Sequence, residues 1–173
     1  MTEAYIVATA RSPIGRARKG SLAGIRPDDL AARMVRAALE TVPALDPGRV
    51  EDLMLGCGQP AGEHGMNLAR IVSVLLGLDG VPGTTVNRYC SSSLQTTRMA
   101  FHAIKAGEGD VFVSAGVESV SRYAAGFADV PSAFNPVFST AGARTAARAE
   151  GGAAGWTDPH DEGKLPDPYI AIG

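Results

Sequence analysis

The sequence predicts an α/β protein: a mainly parallel sheet covered by helices, followed by an irregular stretch. Three observations predict it. Short β-prone runs alternate with longer stretches in which apolar residues recur at three- and four-residue spacings. Glycine and proline punctuate most changeovers. After Gly116 the texture changes, and residues 123–173 carry five prolines, scattered aromatics and a single helical candidate. Repeated strand–helix–strand units need crossover connections, which favour parallel neighbours with helices packed on the faces.

The chain of 173 residues is long enough for one domain with a sizeable core, alone or with an appendage. Hydrophobic residues make up 45% and mean hydropathy is +0.04, as expected of a folded globular chain. Sixteen basic against eighteen acidic side chains leave a formal charge of -2, which gives no general attraction to nucleic acid or to an anionic membrane. Two cysteines, Cys57 and Cys90, supply neither a disulfide framework nor metal-ligand spacing. Glu3 comes early and the apolar run after it is only a strand's length, so no secretory leader is expected. No apolar stretch approaches the length of a bilayer span. A reducing, cytoplasmic setting is the expectation.

Taken in order, Ala4–Ala10 is a compact β-prone run with little polarity, expected to be a buried central strand. Residues 11–24 form a basic connection carrying Arg11, Arg16, Arg18 and Lys19, read as a solvated loop, with a contact to phosphate or to a partner subunit as the alternative. Its glycines, Gly15, Gly20 and Gly24, match no phosphate-loop or dinucleotide pattern. Pro27, Asp28 and Asp29 open a helix, where proline is tolerated and acids complement the dipole. Leu30, Met34, Ala37/Ala38 and Thr41/Val42 form its expected inward stripe. A second strand spans Asp52–Gly56, and Cys57 at its end reads as structural. His64, in the loop that follows, has some claim to attention because loops at strand carboxyl ends line sites in α/β sheets. It reads more simply as a surface or structural histidine. A helix over 67–76 turns Leu68, Ile71/Val72 and Leu75 to one side, and Gly77, Gly80, Pro82 and Gly83 end it.

A short strand at Thr84–Val86 then hands over to a helix from Ser91 to Ala106, with Leu94, Thr97/Arg98, Phe101 and Ile104/Lys105 at helical spacing. Cys90 falls at that junction. The first N–H groups of a helix lack partners and its dipole favours negative charge, so this position favours a thiolate. By itself the residue reads equally as a small buried hydrophobe. Several small hydroxyls crowd around it, but serines also cap helices. His102 lies twelve residues further on, roughly 18 Å along the same axis, too far to act as its base. Gly107 and Gly109 end the helix and Asp110–Ala115 forms the next strand. In the tail, Gly142–Glu150 is the helical candidate. His160, Asp161 and Glu162 are adjacent residues in a Pro/Gly-rich stretch that rarely converge on one ion, so no metal is expected. Trp156 and Tyr169 are expected to pin that stretch.

Three ordered segments carry a resemblance. Asn87-Arg88-Tyr89-Cys90-Ser91-Ser92-Ser93-Leu94-Gln95 resembles the acyl-enzyme signature of the thiolases, the acetyl-CoA acetyltransferase and 3-ketoacyl-CoA thiolase family. Thr9-Ala10-Arg11-Ser12-Pro13-Ile14-Gly15 resembles the family's opening strand and loop. Ser114–Arg122 resembles its Gly-x-Glu-Ser-Met-Ser segment. Ser93 stands where the family usually has glycine, and Val120 where it usually has methionine.

The resemblance implies a thiolase-like fold: the first of two duplicated βαβαβαβ-type halves with a mainly parallel mixed sheet, then the start of an irregular loop domain. Residues 1–122 would be the domain carrying the nucleophile and residues 123–173 the beginning of the loop domain. Cys90 would carry an acyl group, cleaving 3-ketoacyl-CoA or, in reverse, condensing acetyl-CoA, as in fatty-acid β-oxidation. Coenzyme A and acyl-CoA are implied as substrates, with no prosthetic group and no metal. A homodimer or homotetramer is implied, with no nucleic-acid or membrane partner. The family's acid/base residues sit in Gly-His-Pro, Asn-Glu-Ala-Phe and Cys-x-Gly motifs, none of which occurs in these 173 residues. The chain is therefore expected to be the front part of an enzyme and inactive alone. A ketoacyl-ACP-synthase-type condensing enzyme and a non-catalytic acyl-CoA-binding subunit are the alternatives.

Overall fold

The computed structural model describes residues 3–125, 135–151 and 168. The chain falls into two units, residues 1–128 and 129–173. In the first unit, helix α1 (Pro27–Glu40) leads to strand β1 (Asp52–Gly56), helix α2 (Leu68–Leu75), strand β2 (Gly83–Val86), helix α3 (Ser92–Ala106) and strand β3 (Phe112–Gly116). The strands form a wholly parallel sheet in the order β2-β1-β3, with Leu53 opposite Gly83 and Val113, and Gly56 opposite Val86 and Gly116.

Chain order and strand order together decide where the helices go. The β1–α2–β2 crossover steps one way across the sheet, and β2–α3–β3 steps back past β1 the other way. A right-handed crossover in opposite directions places its helix on opposite faces. Leu53, Leu55 and Cys57 accordingly join Ala31, Val35, Leu68 and Val72 in one buried cluster with α1 and α2. Full burial of a leucine such as Leu53 or Leu55 stabilises the fold by roughly 2 kcal/mol. On the other face the sheet carries α3, which sits close enough that Gly56 has no room for a Cβ.

Several expectations change. Ala4–Ala10 is not a buried central strand: it belongs to no sheet, and Tyr5, Ile6 and Val7 are 77%, 79% and 75% exposed. Residues 4–12 line one side of a cavity of about 670 Å³ whose other walls include β3, α1 and α3. β-propensity is realised only against a partner, and the ladder here holds three other strands. On α1 the fully buried line is Ala31, Ala32 and Val35, while Leu30, Met34 and Ala38 border the cavity. On α2, Leu68 and Val72 are buried as expected, but Leu75 is exposed and Leu76 packs on the core instead.

The spacing on α3 left its buried face open. Leu94 and Phe101, two of the residues at helical spacing, are 71% and 47% exposed. The buried face is Ser92, Thr96, Ala100 and Ala103. A helix lying this close to a sheet can turn only small side chains toward it. Gly107 ends α3 at φ 79°, a left-handed C-terminal position that glycine reaches without steric cost.

A 3-10 turn at Val120–Ala125 closes the described part of the first unit. In the second unit, a 3-10 turn at Pro136–Phe138 leads into helix α4 (Ser139–Gly151), which begins three residues earlier than the Gly142 start expected from the sequence. Trp156, His160, Asp161, Glu162 and Tyr169 lie outside the described residues. No helix among the described residues is long and apolar enough to cross a membrane.

Candidate active site

Cys90 stands where sequence reasoning placed it, between β2 and α3 at the carboxyl end of the sheet. It occupies the middle of a 3-10 turn, Tyr89–Ser91, that runs directly into α3, and its side chain is exposed. The turn is built by its neighbours. Asn87 Oδ1 accepts the Tyr89 N–H at 2.8 Å, an Asx turn. Ser92 Oγ accepts the Arg88 N–H at 2.8 Å and donates to the Tyr89 carbonyl at 2.6 Å. Between these ties Tyr89 takes φ 45°, a left-handed conformation that a non-glycine residue adopts only when its surroundings impose it. The residue before the exposed cysteine is thus held in a strained conformation.

Behind the turn, α3 is fastened to the sheet. Thr96 Oγ1 donates to the Ser93 carbonyl at 2.8 Å and lies 2.9 Å from Ser114 Oγ on β3. Thr97 Oγ1 makes a parallel pair of contacts with the same two residues. Ser93 continues a regular helix at the position where the resembling family has glycine.

Loops from the other two strands converge beside this turn. Glu118, two residues past β3, accepts the Gly58 N–H on Oε2 at 2.6 Å and the Tyr123 hydroxyl on Oε1 at 2.5 Å. The Cys57 thiol points at the same Oε1 from 3.8 Å. Burial, and then the Glu118 charge, push the Cys57 thiol up to about 12. It is therefore a protonated, structural cysteine at physiological pH. Burial and the hydrogen bond to Glu118 likewise raise the Tyr123 phenol above its usual range.

His64, read as a surface or structural residue, is wholly buried. Its Nε2 accepts the Ser119 N–H at 2.9 Å and lies 3.9 Å from Glu118 Oε1. That acceptor role puts the neutral ring's proton on Nδ1, which has no hydrogen-bond partner among the described residues. Burial lowers the His64 pKa from 6.5, outweighing the opposing pull of Glu118, Glu63 and Asp28. The loop bearing His64 is also pinned by Glu63, which pairs with Arg122 and, at 3.2 Å, with Arg26. His102 sits on exposed α3 surface, edge-on to Phe101 at 5.5 Å, away from this cluster's hydrogen bonds.

A pH dependence follows with a definite sign. The unfolded His64 takes a proton near pH 6.5, whereas the folded one does so only at lower pH. Between those values the unfolded state binds more protons, so stability falls as pH drops, with a limiting slope of about 1.4 kcal/mol per pH unit. Above pH 6.5 both states are neutral and this contribution vanishes. Urea denaturation of His64→Gln is expected to show a shallower loss of stability than wild type between pH 7 and pH 5.5. Identical slopes would show that the histidine is not buried neutral.

Glu118, Gly58 and Tyr123 were not singled out as site residues from sequence. The one available signal was an acid immediately after an apolar strand, in the segment that resembles the Gly-x-Glu motif.

Comparison with known proteins supplies the class. The sequence matches the family "Thiolase, N-terminal domain" over residues 4–141. It is 46% identical over 123 residues to the 3-ketoacyl-CoA thiolase of Bacillus subtilis, covering 70% of this chain and 31% of that protein. It is 48% identical over 123 residues to a β-ketoadipyl-CoA thiolase of Escherichia coli, covering 70% and 30%. Its fold matches the crystal structure of the Bacillus anthracis acetyl-CoA acetyltransferase with a TM-score of 0.62 at 33% identity, covering 67% of this chain and 29% of that one. The chain belongs to the thiolase family, and what is described is the N-terminal α/β half of that fold. It spans less than a third of the length of these relatives.

Proposed function

We propose that the complete polypeptide is an acyl-CoA C-acyltransferase working through a covalent acyl-cysteine at Cys90. The observation that carries this reading is the exposed Cys90 on a strained turn at the start of α3, in a chain of the thiolase family. The Cys90 thiolate attacks the ketone carbon of a 3-ketoacyl-CoA. The bond between that carbon and the α-carbon breaks, the electron pair leaves as the acetyl-CoA enolate, and protonation releases acetyl-CoA. The sulfur then holds the shortened acyl group as a thioester until a coenzyme A thiolate attacks it and regenerates the cysteine. Run backwards, the same steps condense two acyl-CoA molecules. The Cys90 backbone N–H, in the first turn before α3, is proposed to steady the oxyanion.

The acid and base that manage the enolate are proposed to lie in other parts of the polypeptide, as the family's histidine and cysteine motifs do. The β-ketoadipyl-CoA thiolases among the relatives make a dicarboxylic 3-ketoacyl chain as plausible a substrate as a fatty one. We place the protein in the cytoplasm as a homodimer or homotetramer, with no prosthetic group and no metal.

The test is mass spectrometry of the complete protein after incubation with acetyl-CoA. An acetyl adduct on the peptide containing Cys90, and none on Cys57, is expected. No adduct on Cys90 would overturn the reading. An adduct formed only from an acyl-carrier-protein thioester would move the protein to the carrier-dependent condensing enzymes.

A further inference from the structure

We propose that Glu118 is a positioning residue for Cys90, acting through Gly58 and the left-handed Tyr89; the inference rests on the role proposed for Cys90. Glu118 does this with one carboxylate that ties together loops from separate strands. Oε2 takes the Gly58 N–H at 2.6 Å, from the loop after β1. Oε1 takes the Tyr123 hydroxyl at 2.5 Å, from the turn after β3. A backbone N–H bonded to a charged acceptor is held more firmly than one bonded to a neutral carbonyl.

Gly58 passes this restraint to the nucleophile turn. An ideal Cβ built on Gly58 would lie 3.0 Å from Glu118 Oε2 and 3.4 Å from both the Cα and the carbonyl carbon of Tyr89. The carboxylate and the residue that precedes Cys90 therefore both pack against the open face of Gly58. Tyr89, at φ 45°, gains by relaxing unless something blocks its backbone. Asn87 and Ser92 restrain it from its own segment, and Gly58, held by Glu118, packs beside it. Releasing Gly58 lets Tyr89 relax and moves the sulfur, and a displacement of about 1 Å at a reacting atom can cost on the order of 100-fold in rate.

Glu118 itself has no part in bond-making. Its contacts are to neutral donors: a backbone N–H, a phenol held protonated, and the Cys57 thiol. The isosteric glutamine keeps the geometry, since its amide oxygen accepts from Gly58 and its amide nitrogen donates to the Tyr123 oxygen. Alanine keeps neither contact.

The experiment uses the complete protein and follows acetylation of Cys90 by acetyl-CoA in quenched samples, the sulfur–acyl bond forming as coenzyme A thiolate leaves. Protection of Cys57 from iodoacetamide reports that the surrounding fold is intact. For Glu118→Ala the acylation rate at saturating acetyl-CoA is expected to fall about 10- to 100-fold, while the half-saturating concentration stays within about twofold. Glu118→Gln should recover to within about threefold of wild type, and Tyr123→Phe should fall between the two. Wild-type rates in Glu118→Ala would overturn the inference and leave the Cys90 reading standing. If Glu118→Ala exposes Cys57, Glu118→Gln and Tyr123→Phe decide: a glutamine variant that keeps Cys57 protected yet acylates no faster than alanine also overturns it. Failure of wild type to acylate Cys90 would instead remove the parent reading, and this inference with it.

Discussion

Gly56→Ala is expected to destabilise the protein by about 3 kcal/mol, the upper end for forcing an extra methyl into a packed core. On a domain of this size that corresponds to a fall of roughly 10 °C in thermal midpoint. A Cβ at position 56 would lie 2.5 Å from the Ser93 nitrogen, 2.6 Å from the Ser92 carbonyl carbon and 2.9 Å from the Ser92 oxygen. These are backbone atoms in the first turn of α3, so no side-chain rotation relieves the clash and the helix must lift. Gly116, its partner in the ladder, offers a contrast, because a Cβ there would meet the Ser93 Cβ at 2.7 Å. Gly116→Ala should therefore be rescued by adding Ser93→Gly, whereas Gly56→Ala should not. Gly83 supplies the control. Its added Cβ would meet the Arg70 nitrogen at 2.5 Å and the Ala69 carbonyl carbon at 2.6 Å, the same clash against α2. Gly83→Ala should cost as much stability, yet only Gly56→Ala should slow alkylation of Cys90 in the fraction that remains folded. A thermal midpoint for Gly56→Ala within 2 °C of wild type, on the scale where about 1 kcal/mol moves it by a few degrees, would show that α3 does not sit where the structure places it.

The same close approach explains which features could be read from sequence and which could not. The strand at Asp52–Gly56 was legible because it is central, apolar and bounded by turns. The order of α1, β1, α2, β2, α3 and β3 was legible because the period changes at each boundary and punctuation marks all of them but the one from β2 to α3. The orientation of α3 was not. Leu94 and Phe101 on its apolar line are exposed, while its buried face is made of serine, threonine and alanine. A rule that turns large apolar residues inward fails where glycine on the sheet brings the helix backbone into contact. The run Ala4–Ala10 failed for the opposite reason: its composition suits a strand, but pairing depends on a neighbour that no local pattern can name.

At the site the division is similar. The place of Cys90 between a strand end and a helix start was legible from spacing, while its selection as a candidate came from the resemblance of residues 87–95 to the family's signature. The carboxylate behind it was not legible, because the contacts of Glu118 with Cys57 and Gly58 span about sixty residues of sequence. His64 was undecidable for the same reason, since its burial depends on Ser119 and Tyr123.

Cys90→Ala in the complete protein is expected to lower thiolysis of a 3-ketoacyl-CoA at least about 1,000-fold, the scale on which removal of a covalent nucleophile is felt. The substrate half-saturation should change far less, because the thiol contributes to bond-making rather than to holding coenzyme A. Stability should hardly move, since the side chain is exposed and its neighbours in the turn bond through Asn87 and Ser92. That combination separates this variant from Gly56→Ala, which loses stability first and activity as a consequence. Cys90→Ser sharpens the test. Serine fits the same turn, but its hydroxyl ionises far less readily than a thiol, and no described residue is placed to take its proton. Turnover should therefore stay near the alanine level even with the geometry intact. Loss of the enolate absorbance of a 3-ketoacyl-CoA substrate follows the reaction directly. Should either variant keep more than about a tenth of wild-type turnover, far above what loss of a covalent nucleophile leaves, the sulfur is not the acyl carrier, and catalysis would have to run through a group elsewhere in the polypeptide.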